Sequence, residues 1–206
     1  MMVAIIDYKM GNVGSVFNAL SFLGVHSVIS SNHKDIRDAS HLVIPGVGAF
    51  GAGMANLKKG KLIEILDEEV RVKNKPVLGL CLGMQMLADS GEEGGSSKGL
   101  GWISGVSRKL KIDKEKLRIP HVGWNDVSTK KGSILFKGVD KSIFYFVHSF
   151  VLSPTQQSII TATCNYGEKF AAAVEKDNIF GAQFHPEKSQ SEGLKILDNF
   201  TKFSSI

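Results

Sequence analysis

Short apolar runs alternate with longer amphipathic segments through about the first 90 residues, and this alternation restricts the fold more than any other feature. Val3–Asp7, His26–Ser30, His41–Pro45 and Pro76–Cys81 are short runs rich in Val, Ile and Leu, which predict strands buried on both faces. Strands that alternate with helices form a parallel sheet covered by helices on both sides.

Four helices are predicted from apolar residues at three- and four-residue spacing. The first begins after Asn12 and ends at Gly24, where glycine commonly stops a helix. A long helix comes second, a short one follows Cys81, and another closes the chain. The apolar positions that predict them are Val13, Val16, Phe17, Leu20 and Leu23, then Leu57, Leu62, Ile65, Leu66 and Val70, then Met84, Met86 and Leu87, and finally Leu194, Leu197 and Phe200.

After Gly91 the pattern becomes strand-like, with turn signals at Asn165–Gly167 and Asp177-Asn178. No linker, repeat or low-complexity tract is evident, and Gly91–Ser97 is short enough to be one surface loop. We therefore expect one α/β domain over residues 1–206, with a mixed, mainly parallel central sheet flanked by helices. The strands predicted here are Trp102–Ile112, Ile143–Leu152, Ile159–Cys164, Phe170–Glu175 and Ile179–Phe184.

Composition is that of an ordinary globular chain of 206 residues, 43% hydrophobic and 22% charged. It has no apolar run of membrane-spanning length and its start lacks a basic n-region, so we expect no membrane association and no signal peptide. Cys81 and Cys164 are too few for a disulfide framework, which favours a cytoplasmic protein. We expect Cys164 to lie in the core.

The net charge of +5 raises the question of nucleic-acid binding. The densest basic stretch, Arg108–Arg118, contains Asp113 and Glu115 and alternates with apolar residues, as on the solvent face of a hairpin. No basic tail, zinc-ligand spacing or aromatic RNA-binding motif accompanies it. We expect no nucleic-acid partner, and a positive field can instead favour an anionic substrate or an acidic partner.

The sharpest local signal is Gly79-Leu-Cys81-Leu-Gly83, a glycine-flanked nucleophile pattern between a predicted strand and a predicted helix. A strained turn there lifts the thiol clear of the sheet, and the glycines let neighbouring backbone pass close by. A helix N-terminus beside the sulfur favours the reactive thiolate. We predict that Cys81 is a nucleophile; the alternative is a small buried core residue.

Gln183-Phe-His185-Pro-Glu187 ends the last predicted strand. Pro186 disfavours the α conformation at His185, and residues two apart in an extended chain face the same side. Glu187 can then orient the imidazole of His185, whose other nitrogen takes a proton from Cys81 and returns it to a leaving amine. Cys81, His185 and Glu187 are therefore the predicted catalytic triad.

A glycine-rich loop, Pro45–Gly51, formally matches G-x-G-x-x-G. The dinucleotide-binding fingerprint should follow the first strand of its unit, but the loop after that strand, Tyr8–Asn12, is not glycine-rich, which disfavours a nicotinamide or flavin site. The loop can instead supply an N–H group to an oxyanion beside Cys81, or be a purely structural turn. The candidate oxyanion-hole residues are Leu82, Val47 and Gly48.

These motifs resemble those of the class I (triad-type) glutamine amidotransferases. Within that class the chain is most similar to the glutaminase subunits of imidazole glycerol phosphate synthases. The matching segments, spread over nearly the whole chain, are Ile6–Tyr8 with Gly11-Asn12, Pro45–Gly48, Pro120–Asn125, Phe146–Phe150 and Gln183–Ser189.

The resemblance implies hydrolysis of L-glutamine to glutamate and ammonia through a Cys81 thioester, with neither a metal nor an organic cofactor. It also implies a heterodimer with a cyclase subunit, which uses the ammonia in histidine biosynthesis. Lys9 stands where many members have glycine. A synthase with another ammonia acceptor, such as one that amidates a sugar nucleotide, a stand-alone cysteine hydrolase and a non-catalytic binding subunit stay open as alternatives.

Further residues receive roles only through this resemblance. Those implied to bind the substrate are Gln85, Gly48, His148, Ser149 and Phe150. Those implied to face the cyclase are Asn12, His121, Trp124 and Lys188.

Overall fold

The computed structural model describes residues 1–113 and 115–204. None of the helices in these ranges is long and apolar enough to cross a membrane. The helices are α1 (Val13–Phe22), α2 (His33–Asp38), α3 (Phe50–Lys59), α4 (Ile63–Asp67), α5 (Leu82–Met86) and α6 (Gln190–Thr201). The strands are β1 (Val3–Ile6), β2 (Ser27–Ser30), β3 (His41–Gly46), β4 (Val77–Cys81), β5 (Ala88–Gly91), β6 (Ser97–Lys98), β7 (Ile103–Lys109), β8 (His121–Thr129), β9 (Ile143–His148), β10 (Phe150–Pro154), β11 (Ile160–Tyr166), β12 (Glu168–Lys176) and β13 (Ile179–Ala182).

A nine-stranded sheet in the order β2-β1-β3-β4-β13-β12-β11-β8-β9 forms the centre of the molecule. The five neighbouring strands β2, β1, β3, β4 and β13 pair in parallel, and the remaining pairs of this sheet are antiparallel. The parallel neighbours β3, β4 and β13 end at the same edge, where Gly46 pairs with Cys81 and Ala182 with Leu80. The predicted α/β fold with a mixed sheet is confirmed.

Two apolar cores cover the two faces of this sheet. Alternate residues of β1 enter different cores: Ala4 and Ile6 contribute to one, Val3 and Ile5 to the other. All four are fully buried, as the pattern of a strand covered on both sides predicts. A second sheet, in the order β10-β7-β5-β6, contacts α5 and thereby encloses the helix that follows Cys81.

Helix predictions from periodicity fail where polar or turn residues intervene. The predicted long helix is wrong, because the chain breaks between α3 and α4 at Gly60–Leu62, with Lys61 in the left-handed region at φ 54°. It then ends in a π-helical turn, Glu68–Val72. Helix α2 was not predicted, since it buries only Ile36.

Two strand predictions also need correction. The predicted strand Ile143–Leu152 is two strands, β9 and β10, which belong to different sheets and separate at Ser149. The described residues of Arg108–Arg118 do not form the expected hairpin: β7 ends at Lys109 and pairs with β10 and β5. Lys114, within that stretch, lies outside the described residues.

Candidate active site

A strand-to-helix turn holds the thiol. Cys81 ends β4, precedes α5 directly and has φ 51° and ψ −106°, a conformation that non-glycine residues rarely adopt. A Cβ atom at Gly79 would lie 2.7 Å from the backbone of Gly83 and Met84. A Cβ atom at Gly83 would overlap the carbonyl oxygen of Ile44. Both glycines are thus required by close backbone packing around Cys81.

The glycine-rich loop lies directly beside this turn. Gly46 pairs with Cys81 in the sheet, and Gly48 has φ 101°. The hydroxyl of Tyr8 donates a 2.7 Å hydrogen bond to the carbonyl of Pro45, and a Cβ atom at Gly46 would collide with that hydroxyl. Tyr8 therefore fixes the start of the loop against the first strand.

His185 and Glu187 form a buried pair at the end of β13. The Nδ1 atom of His185 lies 2.8 Å from Oε1 of Glu187, and the two side chains are 3% and 2% exposed. The backbone N–H of His185 donates to Tyr145, and the hydroxyl of Ser189 donates to the carbonyl of His185 at 2.6 Å. The imidazole is held at both the ring and the backbone.

The pKa of His185 is raised to about 9. Burial would lower this pKa, but the favourable interactions of the protonated ring with Cys81 and with Glu187 outweigh it. The imidazole is therefore protonated at neutral pH. Its Nε2 atom has no hydrogen-bond partner within the described chain, so its proton is available for transfer in the site.

A cavity of about 350 Å³ opens at the thiol. The residues predicted to bind substrate or to form the oxyanion hole all line it, and so do four residues beside them. The lining residues are Cys81, Leu82, Val47, Gly48, Gln85, His148, Ser149 and Phe150, together with Ala49, Glu93, Pro120 and Val147. A larger depression of about 860 Å³, along Thr129–Gly138 and α6, contains none of these residues.

Sequence reasoning missed two polar residues of this site. Gln183, fully buried, places its Nε2 atom 3.6 Å from the sulfur of Cys81 and accepts a 3.2 Å bond from Gln85. Its position two residues before His185 was the available signal, because both face one side of an extended chain. Glu93 lines the cavity and accepts a 2.8 Å bond from the N–H of Phe50, and nothing in its local sequence indicated this role.

The residues implied to face a partner have different surroundings. Trp124 is 48% exposed and packs edge-on against Tyr145, with ring centroids 6.0 Å apart. The ammonium of Lys188 lies 5.7 Å from the centre of the same Tyr145 ring. Asn12 caps α1, which packs against the turn that contains Lys188. His121 is buried at 2% exposure, so its side chain is not available for direct contact.

Comparison with known proteins agrees with this geometry. The family profile described as glutamine amidotransferase class-I matches residues 4–203. The chain belongs to this family. It is also similar to a solved structure titled as that of a glutamine amidotransferase, with a TM-score of 0.74, 16% identity and 97% of each chain covered, a likeness of fold.

Relatives with higher identity narrow the comparison. A protein from Campylobacter jejuni, imidazole glycerol phosphate synthase subunit HisH 1, is 48% identical over 98% of this chain and 100% of that protein. One from Pseudomonas aeruginosa, subunit HisH 2, is 45% identical over 98% of this chain and 99% of that protein. The predicted family and the prediction of a glutamine amidotransferase subunit are confirmed.

Proposed function

We propose that the chain is the glutaminase subunit of an imidazole glycerol phosphate synthase, working in the cytoplasm as a heterodimer with a cyclase subunit. The observation that carries the glutaminase chemistry is the buried His185–Glu187 pair at the carboxyl end of β13, next to the strand that ends at Cys81. The assignment to histidine biosynthesis rests on the similarity to HisH subunits.

In the first half of the reaction the thiolate of Cys81, whose proton is held on Nε2 of His185, attacks the side-chain amide carbon of glutamine. The carbon–sulfur bond forms, and the carbonyl oxygen takes negative charge beside the backbone of Leu82, Val47 and Gly48. His185 then gives a proton to the amide nitrogen as the carbon–nitrogen bond breaks, and ammonia leaves. A thioester on Cys81 is the intermediate.

Hydrolysis completes the cycle. His185, now neutral, removes a proton from water, whose oxygen attacks the thioester carbon. The oxyanion forms again in the same place, the carbon–sulfur bond breaks, and glutamate is released. Glu187 contributes by holding the Nδ1–H tautomer and stabilising the imidazolium each time it forms.

The polar residues Glu93 and Gln85, which line the cavity, would bind the amino-acid end of glutamine. The Glu93 carboxylate suits the α-ammonium group, because a partly buried carboxylate pairs favourably with a cation. Gln85 lies on the same wall and is held by the carbonyl of Phe150 at 2.8 Å. Metal ligation is not needed for any step.

The cyclase would bind the outer face of β8 and β9. Val122 and Trp124 are exposed on this face, opposite Val147 and Tyr145 in the ladder. Lys188 extends the face toward α1 and Asn12. An exposed apolar patch with a central tryptophan is typical of a protein interface.

Glutamine hydrolysis measured with and without the cyclase subunit tests the proposal. We expect the cyclase to change the rate and to consume the ammonia, whereas a stand-alone hydrolase would ignore it. A glutamine-like electrophile should label Cys81. A chain that is not labelled would be a binding subunit, and a rate that is indifferent to the cyclase would point to another acceptor or to a stand-alone hydrolase.

A further inference from the structure

Two buried histidines, one of which lines the cavity, take no part in the bond-breaking steps described above. His121 on β8 and His148 at the end of β9 are directly opposite in the ladder and are 2% and 5% exposed. The Nδ1 atom of His121 lies 3.0 Å from Nε2 of His148. The ring of His121 stacks on Tyr166 and on Phe146, with centroids 4.0 and 4.9 Å apart, and so is fixed in its plane.

The contact of His148 with the Phe150 carbonyl shows which atom donates in each hydrogen bond of this pair. Nδ1 of His148 lies 3.0 Å from the carbonyl oxygen of Phe150, which can only accept, so this nitrogen carries a hydrogen. Burial lowers the pKa of His148 to about 3 and that of His121 to about 4, so both rings are neutral at neutral pH. Nε2 of His148 is therefore an acceptor, and Nδ1 of His121 donates to it.

Asn125, which contacts the Nε2 atom of His121, requires the same direction for these hydrogen bonds. Oδ1 of Asn125 accepts a 2.8 Å bond from the N–H of Asp126, and Nδ2 donates to the carbonyl of Asn165 at 3.2 Å. The amide orientation is thereby fixed, and Nδ2 faces Nε2 of His121 at 3.4 Å. Since Nε2 of neutral His121 is an acceptor, backbone groups at both ends impose one direction on the whole chain of bonds.

A series of contacts connects His148 to the sulfur of Cys81 through the Phe150 carbonyl, Gln85 and Gln183. The Phe150 carbonyl, which accepts from His148, also accepts a 2.8 Å bond from Nε2 of Gln85. The same Nε2 lies 3.2 Å from Oε1 of Gln183, whose Nε2 lies 3.6 Å from the sulfur of Cys81. The orientation of the Gln85 amide, which lines the cavity, and of the buried Gln183 amide bonded to it thus depends on where the Phe150 carbonyl is held.

We propose that His121 and His148 are positioning residues for glutamine: they hold the Phe150 carbonyl so that Gln85, which also bonds the buried Gln183, presents a fixed amide group to the substrate. Neither histidine exchanges a proton in the reaction. Their loss should therefore weaken glutamine binding while leaving the Cys81–His185 chemistry nearly intact. The proposal rests on the glutaminase function, which the unsubstituted protein establishes in the same assay.

Two substitutions of His148 separate positioning from simple packing. In His148→Asn the amide nitrogen takes the place of Nδ1 and keeps the bond to Phe150, whereas in His148→Gln the amide oxygen takes the place of Nε2, accepts from His121 and leaves the Phe150 carbonyl without its bond. We expect His148→Gln to raise KM for glutamine about tenfold, which corresponds to about 1.4 kcal/mol of lost substrate binding. In His148→Asn, which keeps the bond to Phe150, KM should rise clearly less than in His148→Gln, and the loss in both should fall on KM rather than on kcat.

Two substitutions of His121 form a second, independent pair of variants. They test the positioning role if a His148 variant does not fold. His121→Leu removes the donor to His148, and His121→Asn restores a donor at the Nδ1 position, so KM should rise in the first and recover in the second. His41→Asn is the control: Nε2 of buried His41 bonds the Phe203 carbonyl at 2.8 Å, and this variant should lower Tm without changing KM. Equal KM in both members of each pair, or a fall in kcat with constant KM, would overturn the proposal.

Discussion

The Nδ1 atom of His185 lies 2.8 Å from a carboxylate oxygen of Glu187, and both side chains are almost completely buried. This contact occupies Nδ1 and leaves Nε2 as the nitrogen that faces the chemistry. The other carboxylate oxygen of Glu187 has no hydrogen-bond partner in the described chain, so the carboxylate serves His185 alone.

Glu187→Gln tests the role of this carboxylate. The change keeps the size of the side chain and removes its charge, and the amide can stabilise the wrong imidazole tautomer. We expect kcat for glutamine hydrolysis to fall by about 10²–10⁴, the upper value being that of the analogous change in a serine triad. A thermal melt should show that the variant is folded. Turnover within about threefold of wild type would remove Glu187 from the triad.

The pKa of His185 provides a second residue-scale prediction. Cys81→Ala removes the thiol interactions that raise this pKa, while burial still lowers it, so NMR titration of both proteins should give a lower His185 pKa in the variant than in the wild type. Because the folded pKa exceeds the ordinary value, protonation of His185 stabilises the fold below about pH 6.5, and this contribution disappears as the pH rises through about 9. Wild type should lose more stability than the variant over that interval. The same titration curve in both proteins would contradict this account.

At the scale of elements, the turn from β4 into α5 depends on the absence of a side chain at Gly83. A Cβ atom there would overlap the Ile44 carbonyl oxygen on β3, a backbone atom that cannot move without distorting the sheet. The turn therefore couples three elements, and its sequence pattern was visible because glycine is required on both sides of Cys81.

Gly83→Ala should lower the free energy of unfolding by about 3 kcal/mol or more, since overpacking against backbone is costly. Gly14→Ala is the matched control, because a Cβ atom at Gly14, within α1, meets nothing within 4 Å. That substitution should stabilise the protein by about 0.5–1 kcal/mol. Chemical denaturation of both variants measures the difference. Equal effects at the two positions would show that the turn from β4 into α5 is not tightly packed.

Some elements of the fold could be predicted from local sequence, and others depend on pairing with distant strands. Local patterns sufficed for β4, for the turn at Cys81 and for the His185 segment, because each is specified by neighbouring residues. The separation of β9 from β10 was not predictable, since it depends on pairing with β8 and β7, which are distant in sequence. The same distance explains why the His121–His148 contact left no local signal.

At the scale of the molecule, the parallel half of the sheet forms the edge to which we assign the catalysis, and the antiparallel half forms the surface that we assign to the cyclase. Trp124→Ala tests this division. We expect cyclase binding to weaken by about 2 kcal/mol or more, roughly thirtyfold, while the Tm of the free subunit and alkylation of Cys81 stay near wild type. A core tryptophan would instead cost about 3–5 kcal/mol of stability. Unchanged affinity with a lowered Tm would sink the interface assignment.

The central claim is that Cys81 acts only to release ammonia from glutamine. The assembled complex containing Cys81→Ala should therefore lose glutamine-dependent synthesis completely and retain synthesis from added ammonium salts at the wild-type rate. Both nitrogen sources are measured with the same preparation. Retention with ammonium and loss with glutamine is the predicted result, and equal loss with both sources would contradict the account.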